Sequence, residues 1–92
     1  MSTLSEIIKT SGTTIVDVRT EGEFAGGHVA GSINIPLDKV ALRMEEFGKM
    51  TNIVVCCAAG GRSAQAAMML MAQGIPYTDG GAWTNLNFHK NN

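Results

Sequence analysis

The sequence predicts an α/β domain of three layers, in which a mostly parallel central sheet is flanked by helices. Three observations predict it. Two short runs, Thr14–Val18 and Asn52–Cys57, are β-branched and almost continuously apolar, the pattern of strands covered on both faces. Helix-compatible stretches separate the strands, and strands alternating with helices build a parallel sheet through crossover connections. Finally, 92 residues, 45% of them hydrophobic, suffice for one core, so residues 1–92 read as a single domain with no room for a second.

In chain order, Leu4 to Thr10 is a short helix and Thr14–Val18 the first central strand. Glu21 to Ala25 forms a further helical turn. Ser32 to Ile35, bounded by Gly31 and Pro36, is a shorter strand, followed by a helix over Leu37 to Phe47. Asn52–Cys57 is the second central strand. The helix from Arg62 to Gln73 has a clear stop in Gly74 with Pro76 beyond it. Within that helix Ala64, Ala67, Met68 and Met71 recur at three- and four-residue spacing, which predicts one core-filling face rather than a metal or partner surface. Pro76 to Asp79 is a last short strand, and the polar tail Asn85 to Asn92 is expected to fray.

Seven basic and eight acidic side chains leave a net charge of -1, which gives no footprint for nucleic acid or an anionic membrane. No run approaches the roughly 18 apolar residues of a membrane span, and Met1 to Glu6 lacks the basic start and apolar stretch of a secretion signal, so the expected location is cytoplasmic. Cys56 and Cys57 are neighbours, a spacing that closes no useful disulfide loop and fits no zinc site; no metal or cofactor is expected. They are either buried small hydrophobes or a reactive thiol site. From Met50 onward the only charged side chains are Arg62, Asp79 and Lys90, so Arg62 is expected to be paired rather than part of a solvated charged face.

The strand ending at Cys57 runs into Ala58-Ala59-Gly60-Gly61, then Arg62-Ser63 and a helix. A strand, a tight loop of small residues and a helix start gather backbone N–H groups around one point, where the helix dipole adds positive potential. An anion fits that cradle. A cysteine at its lip is stabilised as the thiolate, the nucleophilic form, by the same field and by Arg62.

Two stretches carry a resemblance. Asp17-Val-Arg-Thr-Glu-Gly-Glu-Phe24 with Gly27-His-Val-Ala-Gly-Ser-Ile-Asn-Ile-Pro36 resembles the first signature of the rhodanese family, and Cys57-Ala-Ala-Gly-Gly-Arg-Ser63 is similar to its active-site loop. The following helix and Gly80-Gly81 extend the likeness to nearly the whole chain. The resemblance implies a rhodanese-like fold and thiosulfate sulfurtransferase activity. Cys57 would take sulfane sulfur from thiosulfate or a persulfide and pass it to cyanide or a thiol, with a sulfur-relay protein as a further partner. It also implies roles: Cys57 as nucleophile, the amides of Ala58, Ala59, Gly60, Gly61 and Ser63 as the substrate cradle, and Arg62 as loop anchor and positive charge. Asp17 would support Arg62, Arg19 would pair locally with Glu23, and His28 would be structural in its turn rather than a general base. Trp83 either caps the core or lines the mouth of the site, and His89 is incidental. Unlike many loops of the family, this one offers only backbone between Cys57 and Arg62, which leaves room for donors other than thiosulfate.

Two competing functions fit the same residues. Counted from Cys56, the loop satisfies the C-x5-R spacing of phosphatases and arsenate reductases, although no histidine precedes Cys56. A non-catalytic module that carries sulfur for a partner would also keep Cys57. Alternation along the strand separates the readings: Cys56 should be packed in the core, and Cys57, at the strand end, should be accessible and thiolate-like.

Overall fold

The computed structural model describes residues 3–92. Four parallel strands form the central sheet: β1 (Thr14–Asp17), β2 (Ile33–Asn34), β3 (Ile53–Cys57) and β4 (Thr78–Ala82), in the spatial order β2-β1-β3-β4. β1 and β3 are the central pair, and their side chains are buried throughout except at Thr14. This is the covered, β-branched pair the sequence predicts. β4 begins two residues later than expected and runs through Gly80-Gly81. Val55 pairs with Asp79 and Cys56 with Gly81, so Gly80 is the extra residue of a bulge. A Cβ at Gly80 would lie 2.9 Å from Val54 and 3.0 Å from Leu86, so only glycine lets this strand lie so close to its neighbours.

Helices cover both faces. On one side lie α1 (Leu4–Lys9) and α6 (Trp83–Lys90), whose Ile8 and Leu86 pack with Ile15, Val29, Val54 and Cys56. On the other lie α3 (Leu37–Val40), α4 (Met44–Gly48) and α5 (Gly61–Ala72), whose Val40, Phe47, Ala66 and Leu70 pack with Val16, Val18, Val55 and Cys57. α2 (Glu21–Ala25) follows β1 and carries a capping box, Thr20 Oγ1 accepting from the Glu23 amide while the Glu23 carboxylate accepts from Thr20. No helix of the described residues is long and apolar enough to cross a membrane.

Three expectations need correction. The tail does not fray from Asn85: α6 is a helix of eight residues, anchored by fully buried Leu86 against the sheet. Leu86 is its one fully buried residue, with Trp83 partly buried beside it, which is why no hydrophobic period announces it. The helix over Leu37 to Phe47 is interrupted by a 3₁₀ turn at Ala41–Arg43, after which Arg43 leaves helical geometry at φ -113° and ψ 25° and pairs with Glu46 at 2.8 and 2.9 Å. Finally, the core face of α5 is Ser63, Ala66, Ala67 and Leu70; Met68 and Met71 are 65% and 60% exposed, and Ala64 is exposed as well. From Ala66 to Ala72 every residue of α5 is apolar, so more than one stripe satisfies the helical period, and the one that packs on the sheet combines Ala66 and Ala67 with Leu70.

Candidate active site

The strand order reverses direction between β1 and β3: the chain passes from β1 outward to β2, then returns to the other side of β1. Open parallel sheets bind ligands at such a switch point, outside the carboxyl ends of the strands. Cys57 is the last residue of β3 and stands at this point. Ala58 and Ala59 are exposed, and Gly60 caps α5 in the left-handed conformation at φ 101°, where any side chain would be strained. That turn aims the Gly60 N–H at Cys57 Sγ, 2.9 Å away. The Ser63 hydroxyl donates to the Gly60 carbonyl at 3.0 Å and ties the loop to the first turn of α5.

Burial pushes the Cys57 thiol up, but the amide and hydroxyl of Ser63 and the amides of Gly60 and Ala59 outweigh it, so its pKa lies below the usual 9.0. Cys57 is thus thiolate-prone. It is not accessible in the way the strand end suggests, being only 1% exposed: the sulfur is recessed under the loop that stabilises it. Cys56 points to the opposite face. It is wholly buried, and desolvation, reinforced by the charge of Asp17, pushes its thiol up to about 12. The C-x5-R spacing therefore exists along the chain but not in space, because the Cys56 sulfur is packed among Ile8, Ile15, Val29 and Leu86 and faces away from the loop.

The ion pairs differ from those expected. Asp17 does not support Arg62. It is fully buried and binds Arg19, with Nη2 at 2.7 Å and Nε at 3.0 Å from its carboxylate. The register explains this: Asp17 pairs with Cys56 and shares its face, whereas α5 covers the other. Arg19 also donates to the carbonyls of Gly27 (2.7 Å) and Glu23 (3.3 Å) and lies 4.6 Å above the Trp83 ring, stapling β1, α2 and α6 together. So Arg19 meets Glu23 through its backbone, not its carboxylate. That carboxylate grips Arg62 bidentately, at 2.6 and 3.0 Å. The bond to Arg62 and the cap on Thr20 hold Glu23 down at about 2, so it is ionised throughout the neutral range. The sequence reading places Glu23 beside Arg19 and misses its bond to Arg62; the Thr20-x-x-Glu23 spacing of a capping box is the signal in the chain that fixes Glu23 at the start of α2.

The remaining residues fall away from the sulfur. His28 is exposed, stacks on Phe24 at 3.7 Å and donates from Nδ1 to the Phe24 carbonyl at 2.7 Å. Trp83 closes the Arg19 side of the core, its ring 3.4 Å from where a Cβ of Gly27 would stand. His89 contacts Phe88 edge-on.

A recessed cysteine of lowered pKa at a sheet switch point, beside backbone amides and a paired arginine, defines a class: α/β domains with a cysteine in the loop between a central strand and the following helix. Within it the family is clear. The chain belongs to the rhodanese-like domain family, whose profile matches residues 1–84. It is 38% identical over 60 residues to a sulfurtransferase of Allochromatium vinosum, covering 65% of this chain and 56% of that one, so it spans little more than half of that relative. It is 34% identical over 85 residues to thiosulfate sulfurtransferase 16, chloroplastic, of Arabidopsis thaliana, covering 79% and 71%. Its fold is similar to the crystal structure of a rhodanese-like domain protein from Staphylococcus aureus, with a TM-score of 0.78, 28% identity and coverage of 91% and 86%.

Proposed function

We propose that this protein is a sulfurtransferase that moves sulfane sulfur from thiosulfate or a persulfide donor to a thiol or cyanide through a persulfide on Cys57. The observation that carries the reading is the Cys57 sulfur held 2.9 Å from the Gly60 amide within a ring of backbone donors, with its pKa lowered. In the first half reaction the thiolate attacks the sulfane sulfur, and the donor's bond to that sulfur breaks with its electron pair leaving as sulfite or thiolate. In the second, an acceptor thiolate or cyanide attacks the outer sulfur and Cys57 leaves as the thiolate. The amides of Ala59, Gly60 and Ser63 serve both steps, since the same dipoles stabilise the thiolate before transfer and the persulfide anion after it. Arg62 acts through the loop it anchors.

Intact mass after mixing with thiosulfate or a small persulfide tests the reading. A gain of about 32 Da, one sulfur atom, that is removed by a reductant and absent in Cys57→Ser is the expected result. No gain with either donor in the folded wild-type protein would overturn it.

A further inference from the structure

α5 presents an apolar stripe outward as well as inward. Gly61, Ala64, Met68 and Met71 follow one another at spacings of three and four residues and are all exposed, Met68 by 65% and Met71 by 60%. The inner stripe, Ala66, Ala67 and Leu70, lies on the opposite side of the same helix, against the sheet. Alternating steps of three and four residues make the seam along which one helix packs on another. Past the helix end the seam runs into a groove of about 400 Å³ lined by Met71, Gly74, Ile75, Pro76 and Tyr77, where the Tyr77 hydroxyl meets Met71 Sδ at 3.9 Å. Arg62 and Met69 turn to the other flank of α5, where they line a cleft with Val18 and Leu37.

The charge and the shape of this face indicate what covers it. No residue in 63–78 is charged, so an acidic or basic partner finds nothing to pair with. α5 carries no acidic residue in its first turn and no basic residue in its last, so its dipole lacks compensating side chains, and a helix running antiparallel along the seam sets opposite poles side by side. The seam is also graded. It is small at the N-terminal end, with Gly61 and Ala64, and large at the other, with Met68, Met71 and Ile75. An antiparallel copy of α5 reverses the gradient, so that Ala64 faces the partner's Met71 and Met71 faces the partner's Ala64, the self-matching contact of a two-fold axis. At a net charge of -1 per chain, long-range repulsion between two copies is slight.

We propose that the outer face of α5 is a self-association surface, on which two copies of this chain pack α5 against α5, antiparallel, across a two-fold axis midway between Ala64 and Met71. One helix of 12 residues and a short groove offer less surface than an obligate dimer uses. The dimer is accordingly weak, with a dissociation constant of about 0.1 mM, and the chain is a monomer at low micromolar concentration.

Sedimentation equilibrium of the full chain from about 10 µM to about 1 mM tests this. The weight-average mass should climb from that of one chain towards that of two. Ala64→Lys and Met71→Glu, both at exposed positions, should each weaken association by about tenfold or more, because each buries an unpaired charge in the seam, and each should leave the circular dichroism spectrum unchanged. Mixed in equal amounts, the two variants should associate to within about threefold of wild type, because the antiparallel register sets the introduced ammonium against the partner's introduced carboxylate. A wild type that stays monomeric to about 1 mM, which leaves the face to a different protein, would overturn the proposal, as would association that survives both single substitutions. A mixture that stays monomeric would overturn it too, since only the antiparallel register brings positions 64 and 71 together.

Discussion

Cys56 and Cys57 are consecutive residues of one strand, 0% and 1% exposed, yet their thiols are displaced in opposite directions. Burial alone would raise both. The difference is that Cys57 faces α5 and the amides of its first turn, while Cys56 faces hydrocarbon from α1 and α6 and the carboxylate of Asp17. The acidity of each thiol follows from which face of the sheet the sulfur joins, not from how deeply it lies. The two arginines repeat the contrast. On the Cys56 side the Asp17–Arg19 pair is nearly solvent-free, at 0% and 5% exposure, and serves the fold. Arg62 and Glu23, at 33% and 37%, reach solvent and serve the loop, so breaking the Arg19 pair carries the larger stability cost.

The largest effect expected is functional. Cys57→Ser should abolish sulfur transfer, to below about 1% of wild type, in a protein that melts normally, because a hydroxyl is not ionised at neutral pH. Cys56→Ala should keep most of the activity; a loss equal to that of Cys57→Ser would erase the distinction between the faces. Alkylation sharpens it further. The thiolate fraction grows with pH, so the lowered pKa of Cys57 places the half-maximal rate of its iodoacetamide labelling below pH 9.0, whereas Cys56 should stay silent until the pH nears about 12. Peptide mapping that finds Cys56 labelled first would contradict the geometry.

On the structural side, Arg19→Met strands the buried Asp17 carboxylate and should cost about 3–5 kcal/mol in denaturant unfolding. A loss below about 1 kcal/mol would show that water reaches the pair. Leu86→Ala should cost about 2–5 kcal/mol, since this is the fully buried side chain by which α6 packs on the Cys56 face. If the cost is negligible, the tail frays after all. The smallest effect belongs to α5: Met71→Ser should shift stability by no more than about 0.5 kcal/mol, because that side chain faces solvent. A core-sized loss there would restore the methionine face that periodicity suggests.

Much of this contrast was legible in the chain itself. Continuous β-branched runs specify the central strands, because only doubly covered strands can be apolar throughout. The strict alternation of a strand separates two adjacent cysteines without any knowledge of their surroundings. Four small residues before Arg62-Ser63 specify a tight turn of backbone donors, and hence the place of the proposed site. What the chain alone could not specify is which distant groups meet. Asp17 chose Arg19 over Arg62 through the register of β1 against β3, and Glu23 reached Arg62 across 39 positions. Leu86 of α6 fills the gap that Gly80 leaves open, and α5 turns Met68 and Met71 outward while Ser63, Ala66, Ala67 and Leu70 face the sheet. Local patterns fix backbone conformation and side-chain parity, since these depend on neighbours in sequence. Partner choice and the buried face of a helix with more than one apolar stripe depend on surfaces brought together only when the layers close, so the tertiary structure decides them.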